Sequence, residues 1–248
     1  MDVVYVIGTG SKWQNNELRY SLRSIAKYGI GLGDVYIVGD VLPDFVNPDT
    51  VMYLPYKDVA GDPPAVNVYR KIAHLFDHTN LSKFLLSSDD HFFIKPAYFG
   101  VWPLHYKGDH MPEPGAKNVG DKRYTRSMVD TGLYMEAHDL DMRYFEGHTN
   151  KLYMRFAWEM MKDDMQHWMF GTEFGISTNA PMAAQILKVF TDYPCHYRKD
   201  IKLRHLNTPE DWELLKDADS FSIYDSAINT GVADFLQQLF PEPCRFEK

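Results

Sequence analysis

Two adjacent carboxylates, Asp89 and Asp90, follow directly on the apolar run Phe84-Leu85-Leu86 and precede a second apolar pair, Phe92-Phe93. Ionised carboxylates at the end of a buried strand are costly unless something cationic meets them. Mg²⁺ and Mn²⁺ take hard oxygen ligands and are commonly held by one or two carboxylates together with phosphate oxygens, so the pair points to a divalent cation carrying a diphosphate. A bare Asp-Asp is equally an ordinary helix cap or solvated turn. Its place at the end of an apolar strand tilts the reading towards chemistry.

Other residues have the right types for the same chemistry. Gly8-Thr9-Gly10-Ser11 follows the first apolar run, where glycines let backbone approach a nucleotide and leave amide N–H groups free for it. It is neither a Walker loop nor a full dinucleotide fingerprint, and a tight strand-to-helix turn explains it as well. Arg19 lies early in the next helix and could face a diphosphate across the sheet edge, with Arg70 and Lys71 further along; Arg23 and Lys27 have the spacing of a solvated helix face. His148, in Phe145-Glu146-Gly147-His148-Thr149-Asn150, could ligate a metal or hydrogen-bond a phosphate, although it is one of ten histidines. Glu173, after Trp168-Met169-Phe170, could serve as a general base, or simply as a first-turn helix acid. Asp163 and Asp164 read as solvated helix residues, and Met154, Met160, Met161, Met165 and Met169 as core packing.

The elements that must position these residues alternate over the first hundred positions. Asp2 to Ile7 reads as a strand, Asn16 to Tyr28 as a helix with the stripe Leu18, Leu22 and Ile25, and Asp34 to Val38 as a strand. Val51 to Leu54 reads as a short strand, Val66 to His78 as a helix, and Leu81 to Leu86 as a strand. Such alternation implies an α/β fold with a mainly parallel sheet, whose ligands bind beyond the carboxyl ends of the strands. Pro103 to Thr125 has no period and reads as a long functional loop or lid. Leu152 to Met165, Met182 to Tyr193 and Ser226 to Leu239 read as helices, with a polar segment before the last of them.

At 248 residues, 45% hydrophobic, the chain can bury a substantial core and is expected to form one domain. A formal charge of −8 argues against a nonspecific grip on a nucleic-acid backbone. The start, Met1-Asp2-Val3-Val4-Tyr5-Val6-Ile7, reads as a first strand and not a signal peptide, and no run approaches the ~20 apolar residues of a membrane span. The two cysteines, Cys195 and Cys244, form no metal or disulfide pattern. A cytoplasmic, reduced protein is expected.

Glu17-Leu18-Arg19-Tyr20-Ser21-Leu22-Arg23-Ser24-Ile25, Lys27-Tyr28, Val35-Tyr36-Ile37-Val38 and Phe84 to Asp90 together resemble the core of the Stealth-type and related capsular-polysaccharide sugar transferases of the GT-A superfamily. Asp130-Thr131, Glu146 to His148 and Leu239 to Glu247 are similar to segments of small bacterial and phage GT-A proteins. The resemblance implies a single GT-A-like domain over 1–248, nucleotide-binding in 1–100 and acceptor-facing in 101–248. It implies a glycosyltransferase that uses a nucleoside-diphosphate sugar, uridine-linked by family analogy, with Mn²⁺ or Mg²⁺. Gly8, Thr9, Gly10, Arg19, Asp40, Lys71, Ser88 and Asp89 would contact the nucleotide sugar, Asp90 and His148 the metal, and Glu173 or Asp225 would be the catalytic carboxylate. Asp89-Asp90 departs from the usual Asp-x-Asp, Ser88 standing two residues before Asp90. Two alternatives are a Stealth-like hexose-1-phosphate transferase and a non-catalytic sugar-nucleotide or carbohydrate-binding protein. The acceptor would be a surface or capsular glycan or, less in keeping with the charge, a hydroxylated base in phage DNA, met by a basic stripe at Lys117, Lys122, Arg123 and Arg126.

Overall fold

A computed structural model describes residues 1–114, 122–206 and 208–248. Through its first half the chain runs β1 (Val3–Val6), α1 (Asn16–Tyr28), β2 (Gly29–Ile30), β3 (Val35–Gly39), β4 (Met52–Pro55), α2 (Pro64–His78), β5 (Lys83–Ser87), β6 (His91–Phe93), β7 (Ala97–Tyr98) and β8 (Leu104–Tyr106). It continues as α3 (Lys122–Ala137), β9 (Lys151–Met154), α4 (Arg155–Gly171), α5 (Asn179–Val189), β10 (Cys195–Tyr197), β11 (Lys202–Leu203), α6 (Pro209–Lys216), β12 (Ser220–Ile223) and α7 (Ala233–Leu239).

The main sheet has the order β4-β3-β1-β5-β9, the first four strands parallel and β9 antiparallel. Val3, Val4, Tyr5, Ile37, Phe84 and Leu85 are fully buried in it, and Leu18, Leu22 and Ile25 of α1 and Ile72 and Leu75 of α2 are buried with them. Each such aliphatic side chain contributes about 1.5–3 kcal/mol by leaving water. From β1 the chain moves outward to β3 and β4, then returns to the other side of β1 as β5. The crevice between the carboxyl ends of β1 and β5 is therefore a topological switch point, where open α/β sheets bind ligands.

A second, three-stranded sheet, β11-β12-β6, starts where the first one ends. The His91 amide donates to the Ser88 carbonyl at 3.3 Å, turning the chain from β5 into β6. The antiparallel register of β6 with β12 (His91 opposite Ser222) and the parallel register of β12 with β11 (Ser222 opposite Lys202) then carry Lys202 to the same turn. Phe92, Leu203, Phe221, Ile223, Val232 and Leu236 form a separate buried cluster under this sheet.

Several expectations need correction. The span Pro103 to Thr125 is not one loop: it contains β8, and α3 begins within it at Lys122, while 115–121, with Lys117, lie outside the described residues. Residues 151–154 form strand β9 and not the start of a helix, because they pair with β5 at its sheet edge. The expected C-terminal helix is broken at Gly231, whose φ of 83° belongs to the left-handed region. The polar stretch before it contains β10, β11, α6 and β12. Met160 is exposed, whereas Met161, Met165 and Met169 are buried. Arg23 is not solvated: it is buried, its guanidinium clamped on both Glu247 oxygens (2.6 and 2.8 Å) and on the Phe240 carbonyl (2.7 Å). Among the described residues no helix is long and apolar enough to cross a membrane.

Candidate functional site

The Ser88-Asp89-Asp90 turn lies between the two sheets, and two cavities open beside it. The smaller, about 250 Å³, is lined by Ser88, Asp90, His91, His148 and Lys151. The larger, about 700 Å³, is lined by Glu173, Phe174, Arg123, Met128 and Pro63 among others. They share Val68, Tyr124, Glu146 and Asn179 as walls. The smaller compartment thus carries Lys151, two imidazoles and the Asp90 carboxylate, and its neighbour carries the exposed Glu173 carboxylate beside Arg123, Phe174 and Met128.

The two aspartates are held differently. Asp90 Oδ2 is 3.3 Å from Lys202 Nζ, while its Oδ1 is buried with no hydrogen-bond partner. Asp89 is half-buried, and burial, with the charges of Asp90 and Glu17 beside it, pushes its carboxyl up to about 7. Glu17 itself accepts two hydrogen bonds from Ser11 Oγ, at 2.9 and 3.1 Å. A raised carboxyl pKa opposes folding in full above the folded value and ceases to do so only below the unfolded value, so stability falls as pH rises from about 4 to about 7. Asp89→Asn is expected to stabilise the protein by about 2 kcal/mol at pH 8, discounted for partial solvent access, and by almost nothing at pH 4. Thermal unfolding of both proteins at the two pH values checks this; an equal shift at both would exclude a titrating Asp89.

His148 completes the other side. Its backbone N–H donates to Asp200 Oδ1 at 2.7 Å, and Asp200 Oδ2 lies 3.2 Å from Lys107 Nζ. Gly147 makes this approach possible, since a Cβ there would stand 2.8 Å from Asp200 Oδ1. Burial, reinforced by Lys202, lowers His148 to about 4, so the ring is neutral at pH 7. Lys151, set beside Leu86 by the β5–β9 register, donates to the Phe145 carbonyl at 2.8 Å, and burial lowers its pKa to about 8. Behind Asp90, His91 Nε2 and Ser220 Oγ lie 3.0 Å apart, and Arg198 donates to the same hydroxyl at 2.5 Å.

The metal expected at Asp90 and His148 can be tested against this geometry. Lys202 Nζ stands 3.3 Å from Asp90 Oδ2 and 3.5 Å from His148 Nδ1, which is the position a bridging cation would take. Among the described residues no group of three or more His, Cys, Asp or Glu side chains is arranged to hold a metal ion. With the ammonium in place, both expected donors, Asp90 and His148, are already met by a side-chain cation.

The remaining expected residues divide. Ser88 lines the smaller cavity and Glu173 the larger. Gly8, Thr9 and Gly10 are exposed beyond β1 and line neither. Lys71 is not presented to a ligand: it is buried, donating to the Ile7 carbonyl at 2.8 Å and paired with Asp58 at 2.5 Å, so it ties α2 to the tip of β1. Arg19 is turned to the C-terminal tail, over the Phe45 ring at 4.5 Å and 3.6 Å from Glu247. The Asp40 carbonyl accepts from the Tyr53 hydroxyl at 2.9 Å, and the residue lines neither cavity. Asp225 also lies outside both, its side chain 73% exposed and 3.9 Å from Lys12, so that of the two expected catalytic carboxylates Glu173 is the one that lines a cavity. Of the basic stripe, Arg123 lines the larger cavity, and Arg126 pairs with Asp130 at 3.3 Å.

Sequence reasoning missed Lys107, Lys151, Arg198, Asp200 and Lys202. The last three lie in the polar stretch without periodicity: the β11–β12–β6 sheet brings Lys202 to the Asp-Asp turn, and Arg198 follows β10, which pairs with β8. No known family model matches the chain, and no curated protein matches it in sequence.

Proposed function

We propose that the protein is a glycosyltransferase that moves a sugar from a nucleoside diphosphate to a hydroxyl acceptor on a glycan. The observation that carries this reading is the pair of cavities with a common wall at the switch point: a smaller one lined by Lys151, His148 and Asp90, with the Lys202 ammonium held against Asp90 and His148, for the donor, and one presenting Glu173 for an acceptor hydroxyl. In the reaction Glu173 accepts the acceptor proton, the oxygen bonds the anomeric carbon, and the bond from that carbon to the diphosphate breaks. Charge develops on the leaving diphosphate, where fixed cations lower the barrier.

A second reading is favoured by one feature. Lys107, Lys151, Arg198 and Lys202 all stand around His148 and His91, Lys107 and Lys202 paired with carboxylates and Lys151 and Arg198 not, and such cations also suit attack at phosphorus with transfer of sugar phosphate. Products separate the two. Incubation with a panel of nucleotide sugars should release nucleoside diphosphate under the first reading and nucleoside monophosphate under the second. Donor binding without release of either, in the presence of glycan acceptors, would leave only a binding protein.

A further inference from the structure

We propose that Lys202, and not a divalent cation, supplies the positive charge that meets the phosphates at the Asp90–His148 position. Its ammonium already bridges the two donors, at 3.3 Å from Asp90 Oδ2 and 3.5 Å from His148 Nδ1. The placement is built into the fold. The β11–β12–β6 register holds the Lys202 backbone one strand away from Ser222 and two from His91, next to Asp90. The Tyr224 ring supports the ammonium from below at 4.7 Å.

The surrounding charges agree. Lys107 is paired with Asp200 and Lys202 with Asp90, whereas among the described residues Lys151 and Arg198 form no ion pair: their contacts are the Phe145 carbonyl and the Ser220 hydroxyl. Two of the four cations are thus offset by carboxylates, and the two that are not, Lys151 and Arg198, oppose the entry of a doubly charged ion. An anion with several oxygens, such as a diphosphate, would instead complete the cluster. Asp90 then acts as a positioning residue through Oδ2.

The identity of the anion rests on the donor reading above; the charge arrangement does not, so the probe is inorganic pyrophosphate. Isothermal titration in EDTA is expected to show binding to the wild-type protein. Lys202→Met should weaken it at least tenfold, Lys202→Arg should hold it within threefold, and Asp90→Asn should weaken it less than Lys202→Met does, because the amide oxygen can still accept from the ammonium. Binding that requires Mn²⁺, that survives Lys202→Met, or that is abolished by Asp90→Asn overturns the assignment. The arginine variant covers the case in which the methionine variant fails to fold: loss of binding in a folded Lys202→Arg protein counts against it too. Pyrophosphate binding in EDTA with no nucleotide released from any nucleotide sugar would keep Lys202 and remove the donor reading; turnover that depends on Mn²⁺ would do the reverse.

Discussion

Glu173→Gln is expected to lower the rate of transfer by about 10²–10⁴-fold, with the apparent affinity for the nucleotide sugar unchanged. Gln keeps the shape and hydrogen-bonding reach of the side chain and removes only its capacity to take a proton. The expectation rests on position. Glu173 follows the end of α4, is exposed, and lines the 700 Å³ cavity with Phe174, Met128 and Pro63, walls that limit the water competing with an acceptor. Glu146 lines both cavities but is already engaged. It accepts from the Ala180 amide at 3.0 Å and Asn179 Nδ2 at 3.2 Å, and from the Ser177 hydroxyl, which anchors the start of α5. Asp225→Asn is the control and should change the rate less than threefold, because Asp225 faces Lys12 outside the cavities. Single-turnover measurements with saturating donor separate the proton-transfer step from binding. A Glu173→Gln protein as fast as the wild type would remove the base from this cavity and favour a mechanism in which the leaving phosphate takes the proton.

The residues of the site differ in how visible they are in the sequence, for physical reasons. Asp89 and Asp90 stand out because carboxylates rarely end an apolar run, and α1 is legible because Leu18, Leu22 and Ile25 keep the helical period that its packing requires. α3 is not legible, because its buried face includes Ser127, Asp130 and Thr131, polar residues satisfied by local hydrogen bonds and by Arg126 and so invisible to a hydrophobicity pattern. Lys71 looks like a cation free to act on a ligand and Arg23 like one on a solvated helix face, and the fold instead uses both as ties, to the Ile7 carbonyl and to Glu247. Lys202 is the converse case, an unremarkable lysine in a polar stretch brought beside Asp90 by strand register alone. Local pattern therefore identifies the acidic turn, and long-range pairing identifies what answers it.

That answering charge has a cost in acid, and stability is expected to fall by about 3 kcal/mol between pH 7 and pH 5, or about 6–12 °C in melting temperature. Three histidines in and around the site are depressed mainly by burial: His91 to about 3, with Arg198 adding to it; His105 to about 3, again with Arg198 and then Lys151; and His148 to about 4, with Lys202. Their unfolded values lie near 6.5, so below that pH the unfolded chain binds protons that the native state refuses. The stability they confer is complete above about pH 6.5 and is lost progressively down to the folded values. Asp89 works in the opposite direction, gaining a proton in the native state below about 7, and so offsets part of the loss. Three groups outweigh one, although His91 and His105 share Arg198 and Lys151 as neighbours, which makes their effects less than additive. His105→Phe, which keeps a ring against Trp102 (5.5 Å between centroids), should flatten the net slope by about half. Melting temperatures of the two proteins across pH 5 to 8 test this directly: a wild-type curve that is level or rises towards acid would mean that the native state takes up protons at these imidazoles, and the cationic cluster around them would then be less confined than its geometry implies.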